Sequence, residues 1–386
     1  MKGFTAAKLG RNSDPTPVDP VQKSAVWTVQ RWHLLLSFAE GLLKNTPRSA
    51  WCAIRVFHSP MFKSLFAQHS KTLLILALLL VLTLVCGWLE PRFLSRDSLG
   101  AVLKYAGLFG VIALGVSFVI LTGGIDLSIG SWVGLCAVLY PVLLKQGLGV
   151  GEAALVIAGL SVLAGLLHGL LVTKLNLQAF LVTLCGLFIY RGLARVAGGG
   201  REQILPVDQE WLRDALVLGR PLAGLPVPAV FLLMMGLAVV AAVFLNLTVT
   251  GRRLLATGGN EQAARFCGIG TTRLRILSFV ICSLLAGLAG VLFLLDGRSA
   301  LGSSFGNSYE LWAIAGAVLG GCSLRGGQCA VAGVVLGSVM VAEVRQAVFF
   351  VAGDEWKEFV IGVFILVGVI ADEAFTRWMA ARRLRS

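Results

Sequence analysis

The sequence predicts an all-α, polytopic transmembrane bundle of about ten spans, with broken or re-entrant helices and both termini on the cytosolic side. Three observations predict it. Of 386 residues, 57% are hydrophobic and only 14% are charged, against about 25% charged in a soluble domain. Several apolar runs approach or exceed the ~18–20 residues that cross about 30 Å of hydrocarbon. The basic residues concentrate in segments that flank those runs, which is the positive-inside pattern. That placement also turns the formal net charge of +13 away from nucleic acid, whose binding needs a contiguous basic patch. A β-barrel would show short alternating segments, and none occur.

Residues 1–71 read as a cytosolic extension. Pro15, Pro17 and Pro20 with mixed charge make the first 25 residues a disordered tail. Two amphipathic stretches follow, Val26 to Lys44 and Trp51 to Gln68, the second interrupted by Pro60 and so expected as two short helices. Trp and Phe among scattered Lys and Arg suit helices lying in the headgroup layer against membrane lipid; packing on the bundle or on a partner is the other reading. No cleavable signal is evident, because the first long apolar run begins near Thr72.

The transmembrane domain spans 72–375. Its expected spans are 72–89, 100–121, 128–144, 152–172, 177–195, 229–248, 276–295, 309–322, 329–350 and 357–375, followed by a basic tail, 376–386. Ten bases precede the first span (Lys2, Lys8, Arg11, Lys23, Arg31, Lys44, Arg48, Arg55, Lys63 and Lys71). Arg377, Arg382, Arg383 and Arg385 follow the last. Both ends are therefore cytosolic, as an even number of spans requires. The loop 197–228 then falls outside, and its arginines are balanced by Glu202, Asp208, Glu210 and Asp214. A short helix from Pro206 to Leu216, capped by Asp208, is expected within it, and it is the natural surface for an external partner.

The insert 249–275 falls inside. Between Thr250 and Arg275 it sets Arg252, Arg253, Arg265, Arg273 and Arg275 against one acid, Glu261. Asn260 to Phe266 reads as a short helix capped by Asn260 with Glu261 in its first turn. Gly268 and Gly270 follow as stop signals. A basic helix inside an apolar chain is a docking surface.

Two glycine motifs stand between apolar spans. In the first, Thr122-Gly123-Gly124-Ile125-Asp126-Leu127-Ser128, an acid near lipid is costly and faces the bundle interior. Asp126 or Ser128 either caps the next helix or contributes directly to a substrate path, and discontinuous helix ends do both in transporters. The second is Gly320-Gly321-Cys322-Ser323-Leu324-Arg325-Gly326-Gly327. Aligned on Gly123-Gly124 and Gly320-Gly321, both read GG-x-x-L-x-x-G. This is either an internal duplication or chance in a chain with 46 glycines.

No catalytic constellation is present, and no enzyme activity is expected. Of His33, His58, His69 and His168, only the last lies in a span, alone. The chain lacks the G-x-x-x-x-G-K-[ST] phosphate loop, so it binds no nucleotide cofactor, and ATP, if used, is bound by another chain. The eight cysteines show no C-x-x-C spacing and read as packing residues, neither disulfides nor metal ligands. Glu343 and Arg345, two apart on a helix, are expected to point separately.

Three blocks resemble the permease subunits of ribose-type ABC importers, in the branched-chain amino acid and monosaccharide permease superfamily. They are Val116 to Gly130; Gly251-Arg252-Arg253 with Ala256 to Arg265 and Gly268-Ile269; and Tyr309-Glu310-Leu311 with Ala313-Ile314-Ala315 and Gly320 to Gly327. The resemblance covers about 72–375. It implies a multi-pass protein of the bacterial inner membrane that imports a monosaccharide or related small polar solute by alternating access. Its implied partners are a second permease chain, identical or not, a cytosolic ABC ATPase carrying ATP and Mg, and a periplasmic solute-binding protein. The ATPase would dock on Arg252, Arg253, Gly259, Asn260, Glu261, Ala263, Ala264, Arg265 and Gly268. The path or helix breaks would involve Thr122, Gly123, Gly124, Asp126, Ser128, Trp312, Gly320, Gly321 and Ser323. The chain departs from the family at His168 (usually Asn), Ala179 (usually Pro) and Trp312 (usually Asp). Trp312 either lines a pathway or anchors at lipid. Branched amino acids, nucleosides or a furanosyl signal molecule are alternative solutes, and an ion-coupled secondary transporter is an alternative class.

Overall fold

A computed structural model describes residues 60–219, 227–351 and 353–360, with 362–364, 366–367 and 370. The amphipathic stretches before residue 60, the end of the last expected span and the basic tail lie outside the described residues. The chain divides into two units, 1–69 and 70–386.

Eleven helices carry the description. They are α1 (Pro60–Leu89), α2 (Arg96–Leu121), α3 (Ile129–Lys145), α4 (Val150–Lys174), α5 (Ala179–Ala197), α6 (Ala229–Leu247), α7 (Val249–Gly259), α8 (Glu261–Phe266), α9 (Thr271–Gly297), α10 (Tyr309–Leu319) and α11 (Val331–Val351). Residues 357–360 are helical as well. Among the described residues, α2, α4, α5, α6, α9 and α11 are long and apolar enough to cross a membrane, and shorter apolar helices cover Ile75–Leu89, α3 and α10. With 11 residues, α10 rises only about 17 Å, little more than half the hydrocarbon thickness. It is one of the interrupted elements the glycine content predicts.

The described part of α1 begins at Pro60, so the break expected there lies at the edge of the described residues. The insert after α6 holds more structure than expected. Residues 249–259 form α7, whose first turn is capped by Thr248 Oγ1 accepting from Gly251 N–H at 3.0 Å.

α2 is the axis. Every residue from Ala106 to Leu121 is buried, with α6, α9, α10 and α11 packed around it. Small residues let backbones approach, as in membrane bundles generally. A Cβ at Gly107 would lie 2.8 Å from Phe231 N of α6, and one at Gly165 of α4 would lie 2.5 Å from Val280 Cα of α9. Leucines and valines of α4, α5 and α6 such as Leu163, Leu193, Val239 and Val240 are exposed, an outward face suited to hydrocarbon and not to water.

The loop after α5 carries β1 (Glu202–Ile204), which pairs antiparallel with β2 (Ser299–Leu301) just past α9, Gln203 opposite Ala300. Its expected helix is three short turns, Val207–Gln209, Glu210–Arg213 and Asp214–Leu218. Asp208 caps none of them; its carboxylate accepts from the neighbouring Gln209 side chain at 2.8 Å.

The cysteine reading needs a correction. Cys322 and Cys329 are disulfide-bonded, with Cα atoms 4.1 Å apart. The chain between them folds back on itself: Ser323 N–H donates to Gln328 C=O at 2.9 Å, and Gly326 and Gly327 take positive φ. Five cysteines, Cys86, Cys136, Cys185, Cys267 and Cys282, are free among the described residues.

Candidate functional site

The basic insert folds as its sequence dictates. Asn260 is extended (φ −158°) and its side chain accepts from Ala263 N–H at 2.9 Å, leaving Glu261 in the first turn of α8 beside the positive end of the helix dipole. At the other end Gly268 takes φ +76°, and Ile269 N–H donates to Ala264 C=O at 3.0 Å, a Schellman-type stop. Glu261 holds Arg265 at 2.6 Å and Arg275 at 3.3 Å, and Arg265 Nε also donates to Thr271 Oγ1 at 3.0 Å. Burial alone would raise the Glu261 pKa, but the hydrogen bond from Arg265 and the charges of Arg275 and Arg265 outweigh it and hold the carboxyl below its ordinary value. Arg252 and Arg253 of α7 are exposed. Phe266 is 92% exposed at the end of α8, an apolar ring in a basic field.

Beneath α7 and α8 three glycine segments meet backbone to backbone. Gly327 N–H donates to Leu121 C=O at 2.9 Å. A Cβ on Gly258 would overlap the Leu121 carbonyl oxygen and lie 2.6 Å from Gly327 N. A Cβ on Gly326, itself at φ +85°, would lie 2.8 Å from Gly258 O and 3.0 Å from Gly123 N. The end of α2, the end of α7 and the turn after α10 therefore form one contact that only glycine fits.

The two glycine motifs thus touch, but their sequence alignment is one residue out of structural register. α2 ends with Gly124 N–H on Val119 C=O and Gly123 at φ +76°. α10 ends with Cys322 N–H on Ala317 C=O and Gly321 at φ +89°. The equivalent helix stops pair Gly123 with Gly321, where the motif pairs Gly123 with Gly320. The GG-x-x-L-x-x-G match is not a conformational repeat.

Past Gly124 the chain runs without regular secondary structure to α3. Asp126 is fully buried; its Oδ1 accepts from Ser128 N–H at 2.9 Å and from Ser128 Oγ at 2.6 Å. Ser128 is the residue before α3 but makes no side-chain cap, so Asp126 is the group that satisfies the backbone at this helix entry. Among the described residues, Asp126 Oδ2 is buried with no N–H or O–H donor within hydrogen-bonding reach. Ser128 Oγ lies 3.5 Å from His168 Nδ1 on α4, and His168 Nε2 lies 3.2 Å from Tyr190 OH on α5. Since the Ser128 hydroxyl is committed to Asp126, donor logic sets the rest. Nδ1–H donates to Ser128, and Nε2 accepts from Tyr190. Thr183 Oγ1 of α5 donates to Ile125 C=O at 3.2 Å and ties the same segment to α5. His168, the lone histidine of the expected spans, sits in a buried relay. Tyr190 escaped the sequence reading altogether, for nothing 22 residues away on another helix announces the pairing.

The expected path residues do not form one group. Thr122, Gly123 and Gly124 lie at the junction just described, with Thr122 Oγ1 3.4 Å from Ser278 Oγ. Gly320, Gly321 and Ser323 lie at the end of α10 and its turn. Trp312 lies in the first turn of α10, about 12 Å along the axis from Gly320. It is 4% exposed and stacks on Phe109 at 5.7 Å, so it does not anchor at lipid. Phe109 also meets Phe293 and Tyr309, both at 5.1 Å. Glu343 and Arg345 do point apart: Glu343 accepts from Thr83 at 2.9 Å, and Arg345 lies 3.7 Å over the Tyr105 ring.

Two cavities adjoin the relay. One of about 390 Å³ lies between α3, α4 and α5, and one of about 250 Å³ lies between α4 and α5; Leu167 and Tyr190 line both.

Residues 98–369 match the family described as branched-chain amino acid transport system / permease component. The chain is similar to the autoinducer 2 import system permease protein LsrC of Escherichia coli, 34% identical over 312 residues, which is 80% of this chain and 88% of that protein. LsrC of Shigella flexneri is 33% identical over 321 residues (83% and 92%). LsrC of Salmonella typhi is 32% identical over 324 (83% and 90%). No solved structure matches.

Proposed function

The chain belongs to the branched-chain amino acid transport system permease family, and from that membership we propose how it works and on what. It is a multi-pass membrane permease of a sugar-type ABC importer. We place it in the bacterial inner membrane, with ten spans and both ends cytosolic, on the strength of the Lys and Arg distribution. Its solute is a small polar molecule of the monosaccharide class. Within that class the furanosyl signal molecule is the favoured member, because relatives at 32–34% identity over four-fifths of the chain are named autoinducer 2 permeases. That similarity is the observation that carries the reading.

The chain pairs with a second permease copy or a related chain, with a cytosolic ATPase pair that holds ATP and Mg, and with an external binding protein. The ATPase contact is the exposed side of α7 and α8: Arg252, Arg253, Gly259, Asn260, Glu261, Ala263, Ala264, Arg265, the stop at Gly268, and Phe266 as apolar anchor. ATP shifts the permease because α8 meets the two ATPase states differently. The glycine junction passes that displacement to the ends of α2 and α10, since backbones in direct contact have no side chains to absorb it. Gly123, Gly124, Gly320, Gly321 and Ser323 are then hinge positions of alternating access. Thr122, Asp126, Ser128 and Trp312 stiffen the helices that move.

Reversing charge at Arg252→Glu and Arg265→Glu is expected to reduce co-purification with the ATPase and solute uptake together. Unchanged co-purification and uptake sinks the coupling assignment. Uptake by proteoliposomes holding this chain alone sinks the ABC reading in favour of a secondary transporter.

A further inference from the structure

Cys322 and Cys329 stand at one end of the seam between α10 and α11, and the transport scheme gives them no part. That seam is built from glycine. A Cβ on Gly320 would overlap the Gly333 carbonyl oxygen and lie 2.7 Å from Val334 N. One on Gly337 would overlap the Gly316 carbonyl oxygen and lie 2.7 Å from Gly320 N. Backbones that meet this closely have few interlocked side chains to fix their register, which favours small sliding of one helix along the other. The bond joins Cys322, just past the end of α10, to Cys329, just before α11. It is a covalent tie across the end of a seam that is otherwise free to slide.

The tie also reaches the coupling insert. It closes the turn whose Gly327 N–H donates to Leu121 C=O at 2.9 Å. In the same turn a Cβ on Gly326 would lie 2.8 Å from Gly258 O, and one on Gly327 would lie 2.6 Å from Gly259 Cα. We infer that Cys322 and Cys329 form a reversible thiol–disulfide switch on transport. Bonded, they lock α10, α11 and the junction beneath α7 and α8 in one register and halt coupling. As two thiols they release α10 to slide. The inference rests on the proposed cytosolic position of this turn and adds regulation to the coupling junction.

The compartment and the access of the two sulfurs set the chemistry. In the cytosol small thiols keep cysteines reduced, and disulfides formed there are mostly transient or redox-sensing. A pair with Cα atoms 4.1 Å apart then closes when the small-thiol pool is oxidised. Cys322 is 2% exposed and Cys329 is half-buried, so Cys329 is the entry sulfur. Its thiolate attacks one sulfur of glutathione disulfide, forms a mixed disulfide and releases one glutathione thiolate. The Cys322 thiolate then attacks Cys329 Sγ, forms the internal bond and releases the second glutathione. The two protein thiols are oxidised by two electrons, glutathione disulfide is reduced by two, and the two thiol protons end on the released glutathiones. Two glutathione molecules reverse the sequence.

The test uses the permease–ATPase complex in nanodiscs, equilibrated in glutathione buffers of rising oxidised share. Free thiols are alkylated, the bonded fraction of Cys322–Cys329 is read by peptide mass spectrometry, and ATP hydrolysis is measured on the same samples. The bonded fraction is expected to rise with the oxidised share, hydrolysis to fall in step with it, and reduction to restore both. Cys267, free and exposed, reports mixed-disulfide formation without an internal partner. Cys329→Ser cannot close the bond, and with the same ATPase it is expected to hydrolyse ATP at the reduced wild-type rate in every buffer. The reversible wild-type titration stands without the variant.

Hydrolysis that stays constant while the bond closes, or that falls equally in Cys329→Ser, overturns the switch. So does a bond that glutathione cannot open in the folded protein, the mark of a purely structural disulfide. Sidedness is read in sealed vesicles, which charged glutathione does not cross. Glutathione added outside is expected to reduce the pair in inverted vesicles alone. Reduction in right-side-out vesicles alone puts the turn on the external face and overturns the inference together with the orientation it rests on. A complex that hydrolyses ATP alike in every buffer removes the switch and leaves the permease reading standing. A chain that does not assemble with an ATPase removes both.

Discussion

Replacing Asn260 by Ala removes one hydrogen bond, the 2.9 Å contact from Ala263 N–H, from a helix of six residues. Losing an N-cap costs about 0.5–2 kcal/mol, typically ~1. The other local support is weaker. The Glu261–Arg265 pair has side chains 32% and 59% exposed, and an i,i+4 pair of that kind contributes only about 0.3–0.5 kcal/mol. The cap therefore decides whether α8 stays folded at its N-terminus. A loss of ~1 kcal/mol is about 5-fold in the opening equilibrium. Hydrogen exchange at the amides of 263–264 should quicken by about that factor in N260A, in the chain alone. If α8 is the docking element, binding of the ATPase weakens by no more than the same factor, because only the folded fraction competes for the groove. Asn260→Asp restores an acceptor and places a charge where the helix dipole welcomes it, so both readouts should return to near wild type. Unchanged exchange in N260A refutes the capping argument. Restored exchange in N260D with ATPase binding still lost refutes the docking argument.

Three further outcomes follow from the same region. Phe266→Ala should weaken ATPase binding by about 1–2 kcal/mol, the loss of an interface anchor, and leave the thermal midpoint of the permease unchanged because the ring touches little of its own chain; a lower midpoint with full binding contradicts this. Gly258→Ala should destabilise the permease itself by about 1–3 kcal/mol of overpacking with about 1 more for the strained Gly327–Leu121 hydrogen bond. A thermal midpoint equal to wild type removes the junction as a constraint. For Glu261 the folded pKa lies below its unfolded value, so its contribution to stability is complete above the ordinary carboxylate pKa near 4.5. It fades as pH falls through the lower folded value. The stability gap between wild type and Glu261→Gln should be flat from neutral pH down to about 5 and close only below that; a gap that widens on acidification has the wrong sign.

The spans were legible because hydrocarbon selects on length and apolarity alone, and both are visible in one dimension. The observed ends of α3, α6 and α11 lie within two residues of the expected ones. The capped helix α8 was legible for another reason: Asn, Glu and Gly act through neighbours in sequence. What failed needed neighbours in space. α7 does not announce itself because glycines are poor helix formers, whereas Gly258 is small to admit the Leu121 carbonyl. Trp312 reads equally as a lipid anchor or a core ring until Phe109 is placed beside it. Cys322 and Cys329 read as packing residues because nothing in their spacing shows the turn that closes them. His168 and Tyr190 pair across two helices, and their helices reveal only separate apolar periodicities. The repeated glycine motif marks two helix stops, but they fall one residue out of the register that the match gives.

The β1–β2 ladder has a mechanical consequence. β1 begins shortly past the end of α5, and β2 immediately past the end of α9. The two strands close α5 and α9 into a kinematic loop. If either helix tilts by itself, the ladder must shear; if both tilt as a pair, it is untouched. A two-stranded ladder of three residues each has little stability of its own. It therefore acts as a shear pin, holding the pair together through small displacements and letting go at larger ones. Side chains tie the same rim: Ser299 Oγ donates to Glu202 at 2.5 Å and Arg298 pairs with Glu210 at 3.5 Å, so parting the strands breaks these contacts together with the ladder.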